Sequence, residues 1–279
     1  MINQYKISVI TASYNSVKTI EQTIQSVVGQ TYENIEYIII DGGSIDGTVD
    51  IVKKYEDKIA YWVSEPDKGI YDAFNKGVQV ATGDYIQFLG SDDYFCEETT
   101  IEKIVQQLGD EVDILSTCAW EVDGIMCIQH YLSNAHASDK KQFSGKMIPH
   151  PGLFVRREVL EQYAFDTSYR IAADYLFFLS CYYDSKIRFK YIDLPTVFFS
   201  MDGVSSSGVT AMMEENKKIR RIFDLPEDMC PNKYMERFKK VLRKAKIFPV
   251  IRAFYNYWVR RTWEKHRCRW NFCRWCHRL

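Results

Sequence analysis

Two short apolar runs of this chain end in acid at the same phase. Tyr37-Ile38-Ile39-Ile40 leads into Asp41-Gly42-Gly43-Ser44-Ile45-Asp46-Gly47, and Tyr85-Ile86-Gln87-Phe88-Leu89 leads into Gly90-Ser91-Asp92-Asp93. Runs this short, rich in β-branched and aromatic residues and closed by Gly and Ser, predict buried strands. Acids just past the ends of parallel strands share one edge of a sheet, the edge at which open α/β sheets bind ligands. Two or three carboxylates there suit a divalent cation and a sugar-bearing nucleotide better than a packed core.

The rest of the first 110 residues fits such a sheet. Strands are predicted at 6–13, 35–40, 59–63 and 84–89, and helices at 17–28, 48–55, 71–81 and 99–108. Four strand–helix alternations are the pattern of a parallel, doubly wound sheet. After about residue 112 the rhythm changes. Strands are predicted at 112–118, 125–131, 152–155, 189–192 and 197–201, helices at 157–163, 172–183, 210–223 and 232–246, and a loop at 133–149. The expected organisation is one half over 1–110, a second half of the same domain over 111–224, and a helical extension over 225–279.

The formal net charge of −1 argues against a nucleic-acid partner, but it conceals an asymmetry. Residues 233–279 hold 15 Lys and Arg against 2 Asp and Glu, giving +13 and leaving −14 on 1–232. The same tail holds four of the six tryptophans, Trp258, Trp263, Trp270 and Trp275. Val250, Ile251, Phe254, Tyr255, Trp258, Val259 and Thr262 share one helical face, with Arg252, Asn256, Arg260 and Glu264 opposite. A basic amphipathic helix edged with Trp is an interfacial membrane element; the alternative is a helix packed on this chain or on a second copy. No apolar run is long enough to span a bilayer, and residues 1–6 lack a signal-peptide pattern. A cytoplasmic chain, peripheral at the inner face of the cytoplasmic membrane, is therefore expected, with its eight cysteines as free thiols. Cys273-Arg274-Trp275-Cys276-His277 matches c-type haem attachment, which the missing export signal disfavours. A zinc site from Cys268, Cys273, Cys276 and His266 or His277 is disfavoured by irregular spacing.

Several segments carry chemistry. Gly42 and Gly43 permit close backbone approach, so Asp41 is placed to accept hydrogen bonds from a base or ribose, whereas Asp46 reads as a cap for the next helix. Adjacent Asp92 and Asp93 repel unless a cation neutralises them, and Mg²⁺ or Mn²⁺ takes such oxygens together with phosphate. The alternative is an acidic turn that favours the following helix dipole. Within residues 65–77, Lys68 is a point charge suited to a diphosphate, while Asn75 and Lys76 also fit a plain helix surface. Asp174 opens an otherwise apolar helix, where an acid also complements the dipole. His150 and Arg170 are candidates for contact with acceptor or phosphate, and each fits a structural role equally.

Ser8-Val9-Ile10-Thr11-Ala12-Ser13-Tyr14-Asn15, the 41–48 segment, the 65–77 segment, and Ala81-Thr82-Gly83-Asp84-Tyr85 leading into Ser91-Asp92-Asp93 resemble, in this order and spacing, the family 2 glycosyltransferases. The resemblance covers roughly residues 5–205. It implies a GT-A fold, an α/β, Rossmann-like and mostly parallel central sheet flanked by helices. It also implies a nucleotide-sugar donor bound by 1–110, an acceptor bound by 111–224, Mn²⁺ or Mg²⁺, and inversion at the anomeric carbon. By the same resemblance Ala12, Tyr14 and Asp41 hold the nucleoside and Asp92 and Asp93 form the metal-binding motif. Asp174 is then the general base that takes the acceptor hydroxyl proton, and residues 201–206 form a flap. Residue 90 departs from the pattern, being Gly where relatives often carry Asn or Asp. The expected reaction moves a sugar from a UDP-sugar to a saccharide or lipid-linked saccharide in surface polysaccharide synthesis, with the tail on an anionic membrane surface. A sugar nucleotidyltransferase would show a Gly-rich loop after the first strand, and a nicotinamide dehydrogenase Gly-x-Gly-x-x-Gly; residues 12–16 have no glycine. An inactive membrane-bound scaffold is the non-enzymatic alternative, against which Asp92, Asp93 and Asp174 stand.

Overall fold

The computed structural model describes residues 5–123, 128–139, 143–200 and 209–227 and the pair 264–265. The flap expected at 201–206, the helices expected at 232–246 and 250–262, and the Cys/His cluster of the tail lie outside the described residues.

Strand β1 (Ile7–Ser13) is flanked in parallel by β2 (Ile35–Asp41) and β4 (Tyr85–Gly90), and β3 (Tyr61–Ser64) continues the parallel set beyond β2. The chain winds outward from β1 to β3, then returns to β4 on the other side of β1. Strand order therefore reverses between β1 and β4, which makes their C-terminal ends a switch point. Register aligns Ser13, Asp41 and Ser64 in one row there and sets Ala12 opposite Gly90.

Alternate residues of β2 feed two cores. Ile38 and Ile40 pack with Tyr71 and Phe74 of α3 (Ile70–Val80) and with Phe177 and Phe178 of α7 (Ala173–Tyr183). Tyr37 and Ile39 pack with α1 (Ile20–Val28), α2 (Thr48–Lys53) and α4 (Thr100–Val105). A strand covered on both faces needs an unbroken apolar run, as its sequence shows. Helix α3 seats closely on β1 because residue 77 is Gly; a Cβ there would lie 2.5 Å from Ile10 Cγ2.

The second half extends the sheet in mixed fashion. Strand β8 (Leu153–Arg156) pairs antiparallel with β4 and with β6 (Ile114–Asp123), and β7 (Ile128–Leu132) pairs antiparallel with β6. Strand β9 (Phe189–Ser200) runs parallel to β6 and meets the two-residue β5 (Tyr94–Phe95). The strands expected at 189–192 and 197–201 are thus one strand. It passes through Pro195 with a register shift opposite Cys118, and the missing proline N–H is why the pattern reads as a break. The expected loop at 133–149 contains the short helix α5 (Ala135–Ser138); α6 (Arg157–Gln162) and α8 (Val209–Ile222) fall near their predicted places.

In the tail, β10 (Glu264–Lys265) pairs antiparallel with β7, Glu264 opposite Gln129 and Lys265 opposite Ile128. Glu264, expected on a helical face, lies in a strand instead, because the open edge of β7 offers unpaired backbone groups. Among the described residues no helix is long and apolar enough to cross a membrane. Cys96, Cys118 and Cys181 are free, as expected.

One resembling segment proves to be foundation rather than site. Thr82-Gly83-Asp84 lies at the opposite edge of the sheet, before β4. There the Glu36 carboxylate accepts from Lys6 Nζ, Ser8 Oγ and both the N–H and hydroxyl of Thr82. Burial pushes the Glu36 carboxyl up, but these bonds outweigh it and hold it at about 2.

Candidate active site

Asp41, 1% exposed as a residue, ends β2. Ser13 Oγ (2.8 Å) and Ser44 Oγ (2.6 Å) donate to Oδ1; Ser44 N (2.8 Å), Gly43 N (3.2 Å) and Ser64 Oγ (2.6 Å) donate to Oδ2. Burial raises its pKa, but the bonds from Ser44, Ser64 and Ser13 prevail and hold it below the usual carboxylate range. The group is charged, and five donors use up its roughly four lone-pair sites. Ala12 is buried beside it, and Tyr14, 65% exposed, stands on the loop after β1. That loop turns at Asn15, whose φ of 49° is left-handed. Its N–H donates to Ser44 Oγ and its Oδ1 accepts from Ile45 N, so the loops after β1 and β2 are one hydrogen-bonded rim. Asp46 accepts from Thr48 N and Val17 N, one residue ahead of the N-cap position, which Gly47 occupies.

The turn after β4 divides its two acids. Asp93 is buried, and its carboxylate accepts from Ser200 N at 2.9 Å and Gly90 N at 3.3 Å. Its carbonyl accepts from Thr23 Oγ1, and Ser91 Oγ meets Ser16 Oγ at 2.7 Å. Asp92 is the more exposed of the pair. A Cβ on Gly90 would lie 2.8 Å from Asp93 Oδ2 and 3.1 Å from Asp92 Oδ1, so glycine lets both acids fold back over the strand end. Among the described residues no group of three or more His, Cys, Asp or Glu is arranged for a metal. Mg²⁺ typically uses one or two carboxylates completed by phosphate oxygens and water; Asp92 fits that role, with Asp93 fastened behind it by main-chain N–H groups.

The 65–69 loop borders the same edge, since Glu65 N donates to Asp41 O. Lys68 is exposed on it. Lys76 pairs with Glu65 and Asp72, and Asn75 clamps both the N–H and C=O of Phe165; both are structural.

Asp174 lies in the first turn of α7. Tyr71 Oη sits 2.9 Å from Asp174 Oδ1 and 2.6 Å from Ile171 O, and Tyr175 N also donates to Asp174 Oδ1. Burial first, then the charge of Asp174, pushes the Tyr71 phenol far up, so it stays a donor. This bond fastens the acid of the second half to the helix that follows β3. His150 stacks on Phe88 (5.6 Å, 15°) and packs on Phe74 and Phe165, its Nε2 buried without a hydrogen-bond partner. Burial lowers its pKa against the opposing charge of Asp174, leaving a neutral imidazole. Arg170 is exposed and donates its backbone N–H to Glu215.

The structure thus gathers Ala12, Tyr14, Asp41, Lys68, Asp92 and Asp93 at the ends of the parallel strands and groups Asp174 with His150. Sequence reasoning missed Ser13, Ser44, Ser64, Tyr71 and Glu215. A hydroxyl run at the strand ends and a tyrosine in a first helical turn were the available signals; Glu215 had none.

The sequence profile of Glycosyl transferase family 2 matches residues 8–163. An uncharacterized glycosyltransferase of Mycobacterium tuberculosis is 34% identical over 176 residues, 62% of this chain and 67% of that protein. A UDP-Glc:alpha-D-GlcNAc-diphosphoundecaprenol beta-1,3-glucosyltransferase of Escherichia coli is 44% identical over 90 residues, 32% of this chain and 36% of that one. Among solved structures, S. aureus TarS 1–349 in complex with UDP-GlcNAc superposes with a TM-score of 0.63 at 21% identity, covering 77% of this chain and 65% of that one. A mannosyltransferase from Pyrobaculum calidifontis in complex with GDP-Man and Mn²⁺ gives 0.52 at 20% identity, covering 68% and 55%. At such identities the two structures speak to the fold, and the chain spans less than two thirds of the length of each.

Proposed function

The chain belongs to glycosyl transferase family 2, and we propose that it moves a sugar from a UDP-sugar to a hydroxyl of a saccharide or lipid-linked saccharide acceptor, with inversion. The observation that carries this reading is the Tyr71–Asp174 hydrogen bond. It ties a carboxylate of the second half to the first turn of α3, the helix entered from the 65–69 loop that meets Asp41 through Glu65 N. In this reading Ala12 and Tyr14 hold the nucleoside on the rim that Asp41, its oxygens taken up by Ser13, Gly43, Ser44 and Ser64, ties together, and Lys68 and Asp92 meet the diphosphate. Asp92, backed by Asp93, holds Mn²⁺ or Mg²⁺, which when bound supplies charge neutralisation to the departing diphosphate. Asp174 takes the proton of the acceptor hydroxyl, and His150 and Arg170 border the acceptor. The UDP-GlcNAc of the TarS complex and the Mn²⁺ of the mannosyltransferase complex support donor and cation. The lipid diphosphate in the name of the E. coli relative supports a lipid-linked acceptor.

The test is nucleotide release by purified protein from UDP-glucose, UDP-galactose and UDP-N-acetylglucosamine with Mn²⁺ or Mg²⁺. Asp174→Asn is expected to lower kcat by roughly 10³-fold with UDP affinity unchanged; full activity of that variant overturns the assignment. The basic tail is assigned to an anionic membrane at the cytoplasmic face. Equal sedimentation of full-length protein and a 1–232 truncation with anionic liposomes overturns that part alone.

A further inference from the structure

Glu215 is the acid for which the reading above has no task. It sits in the second turn of α8, yet its carboxylate is turned away from its own helix. Oε1 accepts from Arg170 N at 2.9 Å, and Oε2 accepts from Ile171 N and Ala172 N, each at 2.9 Å. Three consecutive N–H groups converging on one carboxylate form a backbone nest of the kind that binds anions; here the chain fills its own nest. Ala172 is the residue from which α7 starts, and Asp174 is the second residue of that helix. The last carbonyl of the nest segment but one, Ile171 O, is also the second acceptor of Tyr71 Oη, whose first is Asp174. Glu215 therefore fixes the main chain from which both the proposed base and its hydroxyl partner take their positions. A second fastening keeps α8 in place: buried Arg220 donates to Ser144 O, Gly145 O and Tyr175 Oη. The neighbouring acid, Glu214, faces solvent and pairs with Lys217.

We infer that Glu215 is a positioning residue for the transfer reaction, acting through the 170–172 backbone to hold Asp174 in line with the acceptor. The inference rests on Asp174 as base. The nest needs acceptors on both carboxylate oxygens. Glutamine has the same shape, but its amide group would point N–H at N–H. A packing role tolerates Glu215→Gln; a latch does not.

The experiment compares Glu215→Gln, Glu215→Ala and Glu214→Gln in the full chain. The readouts are turnover with the UDP-sugars above, UDP binding by calorimetry, and amide hydrogen exchange at 170–172. Expected are a fall in kcat of about 100-fold for both Glu215 variants, as follows from a displacement on the order of 1 Å. The donor KM and UDP affinity stay within twofold, and exchange at 170–172 accelerates. Glu214→Gln behaves as wild type. Wild-type kcat in Glu215→Gln, or donor KM and kcat failing together with loss of UDP binding, overturns the inference. If Asp174→Asn is inactive while Glu215→Gln keeps kcat, only the latch fails; if Asp174→Asn is fully active, the base assignment fails first.

Discussion

At Gly90 the lack of a side chain decides how the acid turn is built. A Cβ would come within 2.8 Å of Asp93 Oδ2 and 3.1 Å of Asp92 Oδ1, closer than Cβ contacts normally allow, so Gly90→Asn must shift both carboxylates. The expected result is a rise of about tenfold in the Mn²⁺ concentration for half-maximal activity, read from a titration of turnover. Asp41 makes a contrasting demand. An amide in its place would aim N–H groups at hydroxyl and backbone donors, so Asp41→Asn is expected to weaken UDP binding at least tenfold by calorimetry, about 1.4 kcal/mol. Asp41, Asp92 and Asp174 were legible in the sequence because each follows or opens a regular element, where position alone announces the acid. Ser64, Tyr71 and Glu215 were not, because their partners lie 23, 103 and 43 to 45 residues away. Nothing in the local pattern distinguishes Glu215 from Glu214.

At the scale of elements, α3 links the two halves of the site. Its Gly77 rests on β1, its Tyr71 reaches Asp174, and its Asn75 supplies both partners of the Phe165 peptide groups. Asn75→Ala strands a buried N–H and C=O, a loss of about 1–3 kcal/mol. It should appear as a lower denaturant midpoint, with kcat falling more than UDP affinity. Strands β1, β2 and β4 were readable because burial on both faces leaves them dominated by β-branched and aromatic residues, with few polar interruptions. Strand β9 was not, since Pro195 interrupts the ladder that a sequence pattern presumes, and the two residues of β5 are too few to show any period.

For the whole molecule, the edge of the sheet opposite the site contributes to the response to acid. Glu36 is held at about 2 against an ordinary 4.5. A depressed folded pKa stabilises above the unfolded value, so the contribution is complete above about pH 4.5 and is lost as pH falls toward 2. Glu36→Gln is expected to unfold more easily at pH 7 by about 3 kcal/mol and to show a shallower decline below pH 4.5, measured by urea unfolding across that range. The mixed, partly antiparallel second half was beyond sequence reasoning, because pairing between distant strands leaves no local trace. The tail gave its charge away and hid its attachment. Through strand pairing, Ser200 lies beside Val122, Val122 beside Gln129, and Gln129 beside Glu264, and Ser200 is the residue whose N–H holds Asp93. Three strand spacings of about 4.8 Å each put β10 about 14 Å from that end of β9. The tail's foothold is thus set by a molecular ruler of β-sheet, so its offset from the acid turn keeps one value whatever the length of chain between α8 and β10.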